Sequence, residues 1–311
     1  MRQDRAAPMR REDQTMRVAI TGGTGLIGSA LIERLTSEGH EVVAVRRGPE
    51  SDPASQWDPA AGWVRPGTFA GYEAVVHLSG ASIGEGRWSG SRRDVLRSSR
   101  IDSTQTLVEH LGSLPSEDRP DVLISQSAVG YYGERGDEEL TEAAAPGTGF
   151  LADLVIAWER EATRAEEHGI RTVRHRSAIV LSRQGPPLSR LLLPFRLGIG
   201  GNLGNGRWWM PWVTLEDEVR SIEHVLTNDV SGPVNVAAPE AVTNAGFTKA
   251  LGRALRRPTL FPVPMFAYRL AFGQDPAELF ASQRVTPQAL TASGFEFSQP
   301  DIDAAFASLL R

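Results

Sequence analysis

One stretch near the amino terminus, "MRVAITGGTGLIGSALIERLTSEGHEVVAVRRG", restricts the folds open to this chain more than any other. Val18, Ala19 and Ile20 form a short apolar run that ends in glycines, the pattern of a strand buried on both faces of a parallel sheet. Leu31 and Leu35 stand one helical turn apart and Ile27 completes their stripe, so residues 26–37 are expected to be a helix that Gly39 ends. Residues 42–45 then read as a second buried strand, closing a βαβ unit of about 30 residues. Between strand and helix, Gly22, Gly25 and Gly28 recur every third residue. The first permits the tight turn, the second lets the backbone approach a pyrophosphate, and the third allows close helix–strand contact. The helix N-terminus adds free N–H groups and a partial positive charge. In this context the glycine string is a dinucleotide site, with contacts through Gly22, Thr24, Gly25, Leu26, Ile27 and Gly28.

The end of the second strand selects the dinucleotide. NAD sites place an acid there for the ribose 2′-hydroxyl, whereas Arg can hold the 2′-phosphate of NADP. This chain has Arg46 and Arg47, with Glu50 and Asp52 only beyond the turn. A guanidinium grips a phosphate through two hydrogen bonds. The expected cofactor is NADP(H).

The alternation continues with strands at 74–80, 121–127 and 172–182 and helices at 93–111 and 150–168. That rhythm implies an α/β fold of Rossmann type, a doubly wound parallel sheet. After residue 183 it changes: residues 184–213 are rich in Gly and aromatics, 214–228 read as a helix and 233–239 as a strand. From about residue 240 short helices are punctuated by Pro258, Pro262, Pro264, Pro276 and Pro287. The expected organisation is a disordered tail over 1–15, an NADP-binding domain over 16–240 with a substrate segment at 184–213, and a smaller, mostly helical lobe over 241–311. Met16, where the ordered pattern begins, is an alternative start.

Composition narrows the function. A net charge of −5 gives no electrostatic footprint for nucleic acid. The absence of cysteine excludes thiolate catalysis, disulfides and zinc–sulfur sites. No His/Asp/Glu spacing suggests a metal site. No run approaches the roughly 20 apolar residues of a membrane span, and the opening "MRQDRAAPMRREDQT" lacks the apolar core of a secretory signal. The default expectation is the cytoplasm, with a small-molecule substrate; the oligomeric state is open, a homodimer being one outcome.

These residues together resemble the extended short-chain dehydrogenase/reductase superfamily. More narrowly, the chain is similar to its atypical "epimerase family protein" branch, which carries a carboxy-terminal domain of unknown function. The resemblance covers nearly everything after Met16. It rests on "TGGTGLIG", "VVHLSGASI", "RW" at 87–88, "SSR" at 98–100, "SAVGYYG", "LLPFRLGIGG", and "PWV" followed by "ED". It implies that Leu78, Ser79 and Gly80 line the adenosine and pyrophosphate side. It implies also that Arg100 turns toward the cofactor, a solvated helix charge being the other reading. Ser127 falls where the superfamily keeps its catalytic serine, at the carboxyl end of a central strand; the alternative is a strand-end serine satisfied by backbone.

The departure concerns the base. Typical members pair a Tyr with a Lys four residues on, and the Lys lowers the phenol pKa. Here Phe150 with Leu154, or Leu151 with Val155, would occupy those places, and both pairs are apolar. The only lysine is Lys249, while Arg135 and Gly136 follow Tyr131 and Tyr132 at the four-residue interval. Unassisted, Tyr131 or Tyr132 could donate a proton to a carbonyl but would be a poor base, since a phenol titrates near 10. Aromatic packing is the alternative for both. Trp208, Trp209, Met210 and Trp212 beside Arg207, with Phe195 and Arg196 upstream, suit either a flat anionic ligand or packing between lobes. Glu216 and Asp217 read as helix-start charges, and His77 as a satisfied buried histidine.

Three functions follow as expectations. The first is an NADP(H)-dependent atypical oxidoreductase acting on a small carbonyl-type substrate, with Ser127 holding the oxygen and Tyr131 or Tyr132 supplying the proton. The second is a non-catalytic NADP(H)-binding sensor or regulator. The third, a sugar-nucleotide epimerase or dehydratase, is disfavoured by the missing base.

Overall fold

In the computed structural model, residues 15–84, 88–259, 262–263 and 280–310 are described. The tail expected at 1–15 lies outside them except for residue 15, as do Arg87, Pro264 and Pro276. Six strands form one parallel sheet in the order β2-β1-β5-β6-β8-β11. They are β1 (Arg17–Thr21), β2 (Glu41–Val45), β5 (Ala74–His77), β6 (Val122–Ala128), β8 (Arg171–Ser177) and β11 (Gly232–Val236), while β3 (Trp57–Asp58) and β4 (Trp63–Val64) form a separate antiparallel pair. The apolar run Val18–Ile20 is wholly buried because helices cover both faces of β1. Helices α1 (Leu26–Ser37) and α6 (Leu215–Thr227) pack together on one face, and α3 (Ile101–Ser113) and α4 (Phe150–Thr163) on the other. This is the Rossmann-type arrangement the alternation implied.

Three expected elements are divided, each for a physical reason. The helix expected over 93–111 is two, α2 (Gly90–Ser98) and α3, with a break at Ser99 and Arg100. Ser99 Oγ accepts a hydrogen bond from Ala81 N at 3.0 Å, tying the break to the loop after β5. The α-helical part of 150–168 stops at Thr163 and continues as a 3-10 turn, Arg164–His168. The strand expected over 172–182 leaves the sheet after Ser177. Its remainder, β9 (Ile179–Leu181), pairs in parallel with β10 (Trp212–Thr214).

The sheet core includes Val18, Ile20, Leu31, Val76, Ile124, Val173 and Val234. A second core joins Leu188, Leu192 and Phe195 of α5 (Pro186–Arg196) to Trp212, to Phe247 and Leu251 of α7 (Asn244–Leu255), and to Ile302 and Phe306 of the last helix, Ile302–Leu309. The lobe expected to begin at 241 therefore draws on residues well before it. It also returns to the large core: Val285, Leu290 and Phe295 pack there, and β12 (Arg284–Val285) pairs with β7 (Glu139–Leu140). Among the described residues, no helix is long and apolar enough to cross a membrane.

Candidate functional site

The glycines after β1 form a cradle that no side chain could share. Gly22 has φ +74°, and a Cβ on it would lie 2.7 Å from the Leu78 carbonyl. A Cβ on Gly28 would lie 2.4 Å from Gly22 O. The loop is thus pressed against the end of β5, where Leu78, Ser79 and Gly80 follow, and α1 is pressed against the loop. Thr24 and Gly25 are exposed, Leu26 and Ile27 half-buried. Gly25 caps α1 without any side-chain hydrogen bond, so the first N–H groups of the helix face outward for an anion.

Arg100 stands over this edge. Its guanidinium carbon lies 3.3 Å from where a Gly80 Cβ would be, and its ring neighbour is Trp158, 5.3 Å away. The residue is 8% exposed, and its Nη1 makes only a long hydrogen bond to Leu96 O, 3.4 Å. Burial, with Arg92 nearby, lowers its pKa to about 10. Among the described residues no carboxylate pairs with it. The kink before α3 is what turns Arg100 inward, so the helical-charge reading gives way to a buried cation beside the cradle.

Arg46 and Arg47, at the end of β2, are exposed. Asp52 reaches back across the turn to Arg46, Oδ2 to Nη2 at 3.2 Å, whereas no described acid pairs with Arg47.

Ser127 lies at the carboxyl end of β6, 2% exposed, and donates its hydrogen to Glu159 Oε1 at 2.6 Å. Both oxygens of Glu159 are held by Arg176 of β8, at 2.7 and 2.8 Å. Arg176 also donates to Tyr132 OH at 3.0 Å and lies 3.6 Å from the Tyr131 ring centroid. Burial alone would lower the Arg176 pKa; the Glu159 bonds reverse this and hold it above the ordinary guanidinium value.

Tyr132 corrects the expectation made for it. It is 0% exposed, and its hydrogen is shared between Asn235 Oδ1 at 2.6 Å and Thr141 O at 3.1 Å. Asn235 in turn donates to Leu140 O and Thr286 O. Tyr132 is thus a clasp holding β7 and the chain near 286 to the sheet, and burial raises its pKa against the pull of Arg176. Tyr131 lines a cavity of about 490 Å³ beside α4, with Ile156, Glu159, Thr163 and Arg174. The 3-10 turn Val129–Tyr132 sets the two rings edge to face, their centroids 5.3 Å apart and their planes at 87°.

Residues 18–237 match the profile of the NAD dependent epimerase/dehydratase family. The chain belongs to that family. Residues 263–309 match a domain of unknown function, DUF1731. An epimerase family protein of Mycobacterium tuberculosis is 42% identical over 291 residues, 93% of this chain and 95% of the relative. The crystal structure of human epimerase family protein SDR39U1 (isoform2) with NADPH superposes with a TM-score of 0.84 at 33% identity, covering 94% of this chain and 99% of that one. A nucleoside-diphosphate sugar epimerase from Corynebacterium glutamicum gives a TM-score of 0.75 at 32% identity, covering 95% of this chain and 58% of the other.

The two pairs expected at the Tyr and Lys places, Phe150 with Leu154 and Leu151 with Val155, both lie among apolar neighbours. Phe150 and Leu154 pack with Leu96, while a Cβ on Gly130 would lie 3.7 and 3.8 Å from Leu151 and Val155. His77 is buried between Thr21 and Thr104, and burial lowers its pKa to about 3. Asp217 is more than a helix-start charge: it accepts from the N–H groups of Ser298 and Gln299. Met210 and Trp212 belong to the second core, Trp208 packs against it, and Trp209 donates to Asp137. No group of three or more metal-ligating side chains occurs among the described residues.

Glu159 and Arg176 were missed from sequence although each left a signal. Glu159 continues the apolar stripe Leu151–Val155 at the next four-residue step, and a charge there needs a partner. Arg176 sits inside a strand whose neighbours are buried.

Proposed function

We propose that this protein is an NADP(H)-dependent oxidoreductase acting on a small carbonyl compound. The observation that carries the reading is Arg100, a buried cation with no carboxylate partner among the described residues, beside a glycine cradle at the carboxyl edge where Ser127 also lies. Open α/β sheets bind ligands at that edge. Gly22, Gly25 and Gly28, with the N–H groups at Leu26 and Ile27 and the Arg100 guanidinium, fit a pyrophosphate. Arg46 and Arg47 fit a 2′-phosphate, and Leu78, Ser79 and Gly80 the adenosine side. The NADPH in the human relative's structure supports the same assignment. The bound nicotinamide would supply hydride transfer.

The chain's own part begins at Ser127. Its hydrogen is committed to Glu159, which leaves lone pairs on Oγ to receive the hydroxyl formed when a carbonyl is reduced. Tyr132 has no part in the proton transfer. A second reading, a non-catalytic NADP(H)-binding protein, is favoured by the apolar side chains at the Tyr and Lys places, Leu151 with Val155 and Phe150 with Leu154.

Titrating NADPH and NADH into purified protein, followed by cofactor fluorescence, tests the first half. Tight NADPH and weak NADH binding is expected, with the preference lost in the Arg46→Ala/Arg47→Ala variant. Binding of neither cofactor would overturn the proposal. Adding a panel of aldehydes and ketones to the NADPH complex tests the second half. Oxidation of the cofactor supports the enzyme, and tight binding with no oxidation across the panel favours the second reading.

A further inference from the structure

A second serine–glutamate pair faces the other side of the sheet. Ser177 ends β8, beside Ala128 of β6, and its hydroxyl contacts Glu218 Oε1 of α6. Gln126, the residue before Ser127, donates from Nε2 to Ser177 Oγ at 2.6 Å and to Ser127 O at 3.1 Å. The second bond fixes the amide: turned over, its oxygen would face the Ser127 carbonyl oxygen. Ser221 donates its hydrogen to Glu218 O at 2.8 Å, so it accepts from His175 Nε2 at 2.9 Å. The other nitrogen, Nδ1, is then bare. It faces Ser177 Oγ at 3.3 Å and Glu218 Oε1 at 3.6 Å.

Counting hydrogens exposes a shortage. His175 Nδ1, both Glu218 oxygens and Gln126 Oε1 are acceptors, and the donors facing them are the Ser177 hydroxyl and the Gln126 amide, which also serves Ser177 Oγ and Ser127 O. Glu218 Oε2 and Gln126 Oε1 are buried with no partner at all. A buried acceptor without a donor is costly, and one further hydrogen, on Glu218, turns an acceptor into a donor.

From this geometry we infer that Glu218 is a proton store of the site, a protonated carboxyl group that Ser177 connects to the substrate at the carboxyl edge of the sheet. The inference rests on the oxidoreductase reading. In the step, the Glu218 O–H bond breaks as the Ser177 Oγ–H bond forms. The original Ser177 hydrogen passes to the alkoxide oxygen created by hydride delivery, leaving Glu218 as carboxylate to be reprotonated from solvent. Glu218 acts through Ser177 and is a positioning residue, whereas Ser177 would touch substrate.

The environment agrees. Glu218 and His175 are fully buried, and no described Arg or Lys pairs with Glu218. Burial pushes its carboxyl up to about 7, with Ser177 and Gln126 pulling the other way. Burial lowers His175 to about 3, so the imidazole facing it is neutral. On the opposite face, Glu159 is clamped by Arg176 at both oxygens. One carboxyl group is therefore paired with a cation, and the other is buried without one.

The test needs no substrate. Infrared spectra of the full chain, recorded below and above the value of about 7, should show the carbonyl stretch of a protonated carboxylic acid that fades as pH rises. The band should be missing from Glu218→Gln. Its exchange with deuterium after mixing into D₂O should slow at least about tenfold in Ser177→Ala and recover in Ser177→Thr, which restores the hydroxyl. No acid band in the unaltered protein below that pH would overturn the proton store, and unchanged exchange in Ser177→Ala would overturn the Ser177 connection. NADPH titration of the same samples reports separately on the cofactor, so failure there leaves the infrared result standing and indicts only the reading beneath it.

Discussion

At the residue scale, Glu218 and Glu159 make opposite predictions although both are buried carboxyl groups bonded to a serine. For Glu218 the pKa in the folded chain, about 7, lies above the ordinary 4.5. The folded state therefore holds a proton that the unfolded chain has released between these values. Its stabilising contribution is complete below 4.5 and falls as pH rises toward 7, by about 1.4 kcal/mol per unit. Urea unfolding of Glu218→Gln across this window should lose that slope, and the variant should be the more stable protein above pH 7. An unchanged slope would mean that another group titrates. Glu159 is different because its partner is a cation. Arg176→Met strands the carboxylate and should cost about 3–5 kcal/mol in urea unfolding. The double variant Glu159→Leu/Arg176→Met should recover most of that, since neither charge is then left alone. A double variant as unstable as the single one would show that packing, not charge, is at stake.

At the scale of elements, the β1–glycine–α1 unit is tight enough that one methyl group should be felt. Gly28→Ala places a carbon 2.4 Å from Gly22 O, which α1 can relieve only by backing away. The expected loss is about 1–3 kcal/mol of stability, together with weakened NADPH binding by fluorescence titration; unaltered affinity would separate the cradle from the cofactor. This unit was legible in sequence because its pattern is local: a helix over 26–37 follows from Ile27, Leu31 and Leu35, and α1 spans Leu26–Ser37. The kink at Ser99 and Arg100 was not legible, since what breaks the helix is a bond to Ala81, distant in sequence. Nor could the chain announce that Tyr132 turns into the core. Its partners Asn235, Thr141 and Arg176 come from three separate segments. Local spacing carries strand, turn and helix, whereas the polar knots depend on which strands become neighbours.

At the scale of the whole molecule, the carboxy-terminal residues are part of the sheet's support. Asp217, fully buried, receives the N–H groups of Ser298 and Gln299 and the Arg220 guanidinium. Asp217→Ala should therefore cost about 1–3 kcal/mol for each buried donor it abandons, and a chain ending at residue 240 should not fold cooperatively in a thermal scan. A sharp transition from that fragment would argue that the large core stands alone. The support has to hold a sheet whose central strand has an ambiguous start. Val122, Leu123 and Ile124 are all buried, so either face of β6 would accept the same apolar run, and hydrophobicity gives little reason to prefer one register over the next. Gln126 and Ser127 remove the ambiguity. A slip of one residue would exchange their faces, taking the serine from Glu159 and the amide from Ser177 in a single step. The polar residues that equip the edge for chemistry also act as the strand's registration marks, telling it during folding which of two nearly equal alignments is correct.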